Sequence, residues 1–532
     1  MSWATFFATL HYALALAVAI RVVLKPGMAA SARLAWILVI ELLPFLGILG
    51  WVLFGEVRMR RIDRQRAADV RQAIAERWVQ SPFIVHDLPE PAHAVMAQAA
   101  TTGGLRPVRG NRLCLLPEDD EAMEVVARAI DAAQHSVDVL YYIWLDDVSG
   151  RRIASACADA ARRGVSVRVI ADAMGSRRFL RSQTWAGMVA AGVEGVQAFP
   201  LGNPFARMLT SRLDLRNHRK IVVVDGRLGF TGSRNCSDMA FSAKPKYSPW
   251  VDVMLSVEGP AVRQLELVFV QDWLTASAMP LRPEMLTSRP GNRPLAAPAP
   301  AAPMLAPAAV SAMSDCAVPW SRVDRPSRDL RARAETIAPL LPPIGAAQEP
   351  GQIVQVVPTG PDFRPGTLSD VLTTLIHAAR HSLTITTPYY VPDEATDAAI
   401  CAAARRGVAV TMILPARNDS RLVQAVSEGF YASLLRAGVR IALFQHGLIH
   451  AKIVSVDSYL ALVGTANLDR RSFELNYEVS LLVADRGFVG VLDARQADYL
   501  RRSRDLTLDE MRARPALWRA TGNLAALAAP LL

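Results

Sequence analysis

The sequence predicts an α/β fold of two related halves facing each other across a pseudo-twofold axis, preceded by an N-terminal transmembrane helical hairpin. Three features of the 532 residues carry that expectation. A short polar motif is written twice, an alternation of helix and strand periodicity recurs at a near-constant offset, and two apolar runs open the chain.

The apolar runs come first. Residues 1–20 carry no charged side chain and residues 34–54 are apolar apart from Glu41, so each is long enough to cross the hydrocarbon core of a bilayer. Trp3, Trp36 and Trp51 lie towards the ends of the runs, where interfacial aromatics sit. Residues 1–57 therefore read as a two-helix membrane anchor. Ala17-Val18-Ala19 resembles a signal-peptide cleavage site, but no basic residue precedes the run and a second run follows. Glu41 either has a function inside the membrane or faces the partner helix or water near Pro44. Six arginines at positions 58–71 follow the hairpin, against Arg21, Lys25 and Arg33 between its spans, which favours a multi-pass protein with a cytoplasmic catalytic domain. Residues 58–110 read as a juxtamembrane linker, and the helical spacing of 58–79 suits the membrane surface.

Composition agrees. A hydrophobic content of 51% leans towards membrane association, and a net charge of +10 favours anionic partners. Nucleic acid and acidic lipid both qualify by charge; the apolar N-terminus selects lipid, and no nucleic-acid partner is expected. The five cysteines, at 114, 157, 236, 316 and 401, are odd in number and lack C-x-x-C spacing, which indicates neither a disulfide framework nor a zinc site.

From residue 111 the pattern becomes α/β. Helices at 121–134 and 153–163 alternate with strands at 136–143 and 165–171; helices at 368–380 and 395–406 alternate with strands at 382–387 and 408–414. The repeat is visible in letters: Ala132-Ala133-Gln134-His135-Ser136 matches Ala378-Ala379-Arg380-His381-Ser382 at an offset of 246, and Ala161-Arg162-Arg163-Gly164-Val165 matches Ala404-Arg405-Arg406-Gly407-Val408 at 243. The halves are 111–278 and 349–510, and a longer loop at 201–213 precedes the first motif. Between them, 279–348 is dense in Pro, Ala and Arg, and such a composition cannot bury enough surface to offset its ordering entropy. It reads as a mobile linker, with a lid or membrane contact as the alternative. Residues 511–532 form a C-terminal tail.

The duplicated motif is H-x-K-x4-D-x6-G-[ST]-x-N. Its members are His218, Lys220, Asp225, Gly232, Ser233 and Asn235 in the first half, and His450, Lys452, Asp457, Gly464, Thr465 and Asn467 in the second. The chain has 59 basic residues, and only five are lysines, at 25, 220, 244, 246 and 452; two of those five sit two places after a histidine. A compact ammonium among phosphate oxygens explains a lysine where the chain otherwise writes arginine. The following tetrapeptides, Ile221–Val224 and Ile453–Val456, read as buried strands, so His and Lys are expected on one strand face. Gly-Ser and Gly-Thr suit a tight turn whose N–H groups and hydroxyl approach an anion, and Asn adds an amide donor.

The duplicated stretch resembles the His-Lys-Asp motif of the phospholipase D superfamily, and its flanks resemble those of bacterial cardiolipin synthases. Those flanks are Arg216-Asn217-His218-Arg219-Lys220, Phe230-Thr231-Gly232, and the run from Leu468-Asp469-Arg470-Arg471 through Ser472-Phe473-Glu474-Leu475 to Asn476-Tyr477-Glu478. The resemblance implies two phospholipase D-like α/β/α halves in a bacterial inner-membrane enzyme.

A phosphodiester resists attack because its anionic oxygens repel nucleophiles and its alkoxide leaves poorly. Two histidines solve both problems when one attacks phosphorus and the other protonates the departing oxygen. Lys220, Lys452, Asn235 and Asn467 would hold the phosphoryl oxygens, and no metal or other cofactor is required. Asp225 and Asp457, counted with the catalytic motif, are expected to brace it rather than touch substrate. The resemblance further implies His218 as nucleophile and His450 as acid/base, with Glu478 orienting His450 and Asp252 orienting His218. It implies transfer of a phosphatidyl group from one phosphatidylglycerol to another through a phosphohistidine, with release of glycerol. The alternative is a lipid hydrolase or nuclease using water. A decayed lipid-binding protein is disfavoured because both motifs are complete.

Overall fold

The computed structural model describes residues 2–514 except 27, 29, 57, 60, 79–82, 201–211, 213 and 278–350. The predicted 279–348 linker, the tail beyond 514 and nearly all of the 201–213 loop lie outside the described residues.

Both halves share one 16-stranded sheet. At its midline Val108–Leu115 pairs antiparallel with Gln352–Thr359, one strand from each half. Outward from that pair the first half runs Met254–Glu258, Leu228–Gly232, Ile221–Val224, Ser136–Tyr141, Ser166–Asp172 and Glu194–Ala198. The second half repeats the order: Asn476–Ala484, Leu460–Gly464, Ile453–Val456, Ser382–Thr386, Ala409–Pro415 and Arg440–Phe444. An antiparallel pair on the midline is what a twofold relation between halves produces, so the predicted symmetry is present. The strands 221–224 and 453–456 are buried throughout, as strands covered on both faces must be. Helices Glu121–Asp131, Val148–Arg162, Thr367–Ala378 and Glu394–Arg405 cover the sheet with their apolar stripes and lie within a few residues of their predicted positions, apart from the earlier start of Val148–Arg162.

Residues 58–110 are not a linker. Helix Arg61–Trp78 buries Ala67 and Val70 and packs on helix Pro260–Ser277, while Ala92–Gly103 packs on Thr367–Ala378 of the second half. The stretch predicted for the membrane surface is docked on protein, because its small apolar stripe fits the back of the first half.

The N-terminal hairpin is also corrected. Among the described residues Trp3–Leu24 is the one helix long and apolar enough to cross a membrane. The second apolar run breaks: helix Ala30–Leu42 ends, Phe45 takes φ 58°, and Leu46–Gly50 with Trp51–Gly55 turns back along it. The Trp36 and Trp51 rings meet at 5.2 Å, and a Cβ on Gly47 would fall 2.3 Å from the Val39 carbonyl oxygen. Pro44 has no N–H and restricts Leu43, so the helix stops there, and Gly47 admits the close crossing. As a result, residues 21–25 and 55–56 are neighbours. Arg21 donates to the Glu56 carboxylate at 2.7 and 2.8 Å, and Lys25 Nζ donates to the Gly55 carbonyl at 2.8 Å. Two parallel crossings would have put residue 25 at the opposite end of the hairpin from residue 55. Glu41 is exposed on this segment.

Candidate active site

The two motifs occupy equivalent places. His218-Arg219-Lys220 and His450-Ala451-Lys452 immediately precede the strands Ile221–Val224 and Ile453–Val456 rather than lying in them. Each lead-in is held by the other half. The His218 N–H donates to the Tyr477 carbonyl at 2.9 Å and the His450 N–H to the Val251 carbonyl at 2.7 Å. Parallel pairings of Arg216–Asn217 with Asn476–Tyr477, and of Leu448–Ile449 with Trp250–Val251, extend these contacts.

That exchange decides which carboxylate faces which ring. His218 Nδ1 lies 2.8 Å from Glu478 Oε2, and His450 Nδ1 lies 2.6 Å from Asp252 Oδ1. The expected assignment, Glu478 to His450 and Asp252 to His218, is therefore reversed. The reason is the backbone: each histidine is bonded to the opposite half one residue before that half's carboxylate. With Nδ1 occupied, Nε2 is the nitrogen left for chemistry, and the carboxylate fixes the tautomer.

Ser233 and Thr465 serve the carboxylates rather than an anion. Ser233 Oγ donates to Asp252 at 2.5 Å and accepts from the Val253 N–H at 2.9 Å; Thr465 Oγ1 donates to Glu478 at 2.5 Å and accepts from the Val479 N–H at 2.9 Å. Ser472 and Asn476 add donors to Glu478 at 2.9 and 3.2 Å. The preceding glycines end strands instead of forming a tight turn. A Cβ on Gly232 or Gly464 would stand 2.3 or 2.4 Å from the carbonyl oxygen of Val253 or Val479, so only glycine permits this strand crossing.

Both lysines and both histidines are buried. Lys220 Nζ donates to the His218 carbonyl at 2.6 Å, and Lys452 Nζ to that of His450. Burial pushes Lys220 down to about 7 and Lys452 down to about 8, with each ammonium lowering its counterpart's or a histidine's proton affinity. Burial likewise lowers His218 to about 4, against the opposing pull of Glu478 and with help from Lys220 and Lys452. His450 is lowered for the same reason, burial first and then Lys452. Lys452 acts on His218 and Lys220 on His450, so the charges of both halves converge on one site. Asp252 and Glu478 are both held below the usual carboxylate range: burial raises them, and their histidine partners and the nearby lysines more than offset it.

The asparagines divide. Asn235 Oδ1 accepts from the Ile143 N–H at 3.3 Å, and Asn467 Nδ2 donates to Asp469 at 3.3 Å. Asp225 and Asp457 stand at the far ends of the strands from the histidines. Asp225 accepts from the N–H groups of Gln134, His135 and Ser136 at 2.7–3.0 Å, and Asp457 from Arg380, His381 and Ser382 at 2.7–2.8 Å. Both adopt φ 52°, a conformation aspartate tolerates. Each ties a helix-to-strand junction, the place the expected bracing role would need. Asp225→Ala is expected to lower stability by about 2 kcal/mol, because three donors lose an ionised acceptor in a partly solvated place. Chemical denaturation in detergent measures the shift, and the folded protein is expected to keep its turnover.

Three site features escaped the sequence reading. The Tyr142 ring lies 4.7 Å from the His218 ring and 5.3 Å from Lys220 Nζ, and the Trp250 ring lies 4.7 Å from the His450 ring. Fully buried Arg219 donates to the Glu478 carbonyl at 3.0 Å, to Asp272 at 2.5 Å and to the Thr359 carbonyl at 3.0 Å, while Asn217 Nδ2 reaches Asp272 at 2.8 Å. Arg219 has no second-half equivalent, because Ala451 holds that place. The Asn217-His218-Arg219 run was the available signal, but nothing local pointed it at residue 272.

A family model described as "Cardiolipin synthase, PLD-like domain" matches residues 126–273 and 372–497, one segment in each half, and one described as "Phospholipase_D-nuclease N-terminal" matches 13–56. Cardiolipin synthase A of Yersinia pseudotuberculosis serotype O:1b (strain IP 31758) is 34% identical over 538 residues, covering 100% of this chain and 99% of that protein. The chain belongs to the bacterial cardiolipin synthase family of the phospholipase D superfamily. Cardiolipin synthase A of Yersinia pestis matches with the same identity and coverage. The crystal structure of phosphatidylserine synthase from Haemophilus influenzae Rd KW20 shares the fold, with a TM-score of 0.53 and 15% identity over 84% of this chain and 100% of that one. As a cardiolipin synthase family member, the chain is a membrane-associated phosphatidyltransferase acting on phospholipids.

Proposed function

We propose that this chain makes cardiolipin by transferring a phosphatidyl group between two phosphatidylglycerol molecules through a phosphohistidine on His218. The observation that carries the reading is the crossed pair of imidazoles, each oriented by the other half's carboxylate, over a shared pair of buried ammonium groups. His218 Nε2 attacks the phosphorus of the first lipid as the bond to the glycerol oxygen breaks, and protonated His450 gives its proton to that oxygen. Glycerol leaves. Neutral His450 then takes the proton of the second lipid's terminal hydroxyl while that oxygen attacks phosphorus, releasing His218 and cardiolipin. Depression of the His218 pKa keeps its ring neutral, as a nucleophile must be. Lys220, Lys452 and Asn235 are assigned to the phosphoryl oxygens. Detergent-solubilised protein with labelled phosphatidylglycerol is expected to yield cardiolipin and glycerol; phosphatidic acid in place of cardiolipin, with glycerol still released, would make water the acceptor and reject the transfer.

The lysines set a pH dependence. A depressed lysine is charged below its pKa and loses that charge as pH rises, so anion binding weakens through about pH 7 to 8 rather than near the ordinary lysine value of 10.5. Tungstate, whose charge is constant there, is expected to bind at least roughly tenfold less tightly at about pH 9 than at about pH 6. Unchanged affinity would remove the lysines from the phosphate site.

The membrane arrangement follows from the corrected N-terminus. Helix Trp3–Leu24 is assigned the single crossing and the broken run the role of a re-entrant pair, with the catalytic halves in the cytoplasm of a bacterial inner membrane. Arg21, Lys25 and Arg33 then fall on the same side as the arginines after residue 57, as the positive-inside preference asks. Labelling of a cysteine introduced at residue 2 from the outside, and not of one at residue 58, tests it; the reverse pattern overturns it.

A further inference from the structure

Beyond the N-terminal segment, four large apolar side chains among the described residues are exposed: Val148 at 70%, Leu422 at 48%, Val189 at 43% and Met174 at 41%. Three are tied to the mouth of the active site. The Met174 N–H donates to Asp172 Oδ1 at 3.0 Å, and Asp172 Oδ2 accepts at 3.0 Å from the N–H of Asn217, the residue before His218. The Val148 N–H donates at 3.2 Å to Asp238, next to Met239, whose carbonyl holds the N–H of Trp250 beside His450. Leu422 lies three residues after Asp419, which accepts from the Tyr389 hydroxyl at 2.8 Å and pairs across the halves with Lys244.

Cations stand beside Leu422. Lys244 and Lys246 are two of the chain's five lysines, both exposed, and exposed Arg417 and Arg421 flank Asp419 without an ion pair among the described residues. The nearby carboxylates are engaged: Asp147 accepts from the Gly150 and Asp238 N–H groups, Asp146 faces Thr184 and Arg151, Asp238 holds the Val148 and Ser149 N–H groups, and Asp419 holds Tyr389 and Lys244. At the His218 side of the mouth the N-terminal segment is attached. Arg212 donates to the Phe54 carbonyl at 2.7 Å and, through its N–H, to that of Arg58 at 3.0 Å, while Asp214 joins Arg212 to Arg471. A bilayer reached through Phe54 and Arg58 therefore meets the mouth on one side, and apolar tips with cations beside Leu422 stand on the other, a combination suited to an anionic lipid surface.

We propose that the rim formed by Val148, Leu422 and the Lys244–Lys246 loop inserts into the headgroup layer of an anionic membrane and seats the mouth of the site on the bilayer. The proposal rests on the lipid-substrate reading, but its test requires no turnover. Full-length protein in phosphatidylglycerol/phosphatidylcholine vesicles would carry a nitrobenzoxadiazole label on Leu422→Cys or on Val148→Cys, with labelled unsubstituted protein as background. Arg405→Cys is the reference, because Arg405 precedes strand Ala409–Pro415 at the end away from Arg417. Brominated acyl chains are expected to quench the labels at 422 and 148 roughly twofold, less when phosphatidylcholine replaces phosphatidylglycerol, and to leave the label at 405 unchanged. Absence of quenching at both rim positions, or equal quenching at 405, overturns the proposal. So does a spectral shift that follows protein concentration and not lipid, which would give this face to a second copy of the chain.

Discussion

His218→Ala and His450→Ala each abolish cardiolipin formation, with an expected loss of roughly ten-thousand-fold or more, because the two rings act as one unit and neither half retains a working pair. The two variants fail differently. Without His218 no covalent intermediate forms, so phosphatidyl-labelled substrate leaves no label on the protein. Without His450 the attacking ring is present but the leaving glycerol lacks its proton donor and the second alcohol lacks its base, so any labelled protein that forms decays slowly. Protein quenched in alkaline denaturant, in which a phosphohistidine survives, distinguishes them after incubation with labelled lipid. Residual turnover in either variant near the unsubstituted rate would mean two independent sites, and label retained by His218→Ala would move the nucleophile to His450.

The second large effect follows from the crossed carboxylates. Glu478→Gln and Asp252→Asn keep the shape of each side chain but remove the charge that fixes the Nδ1–H tautomer, and each is expected to cost roughly a hundred- to ten-thousand-fold in turnover. The informative readout is the titration of each ring. Glu478 raises the His218 pKa against burial, so Glu478→Gln lowers it further and leaves His450 nearly unmoved. Asp252→Asn does the converse, because Asp252 raises His450. Histidine NMR on the two variants measures this. A shift at His450 in Glu478→Gln would restore the within-half pairing that the sequence suggested.

That pairing shows where sequence reading stopped. Glu478 lies 28 residues after His450 and 260 after His218, and chain proximity favours the wrong partner. The hydroxyls of Ser233 and Thr465 looked like anion ligands for the same reason. A Gly-Ser step suggests a turn at a phosphate until the neighbouring strand is present to close on the glycine and place the carboxylate under the hydroxyl. At the N-terminus hydropathy registered one run at 34–54, apolar apart from Glu41, but not that Pro44 and Gly47 fold it into short helices. The arginine-rich stretch after the membrane segment resembled a linker because its apolar stripe, Ala67 and Val70, is narrow.

The sequence by itself determined the duplication, the α/β alternation, the side chains proposed to react and the family. Those are properties of local spacing: a repeated motif, a period of two or 3.6 residues, and residue chemistry that survives any fold. Only the tertiary structure decided which carboxylate serves which histidine, and that Arg219 and Asp272 stand behind His218. Those depend on which backbone N–H bonds across the midline between segments about two hundred residues or more apart, and no local pattern encodes that choice.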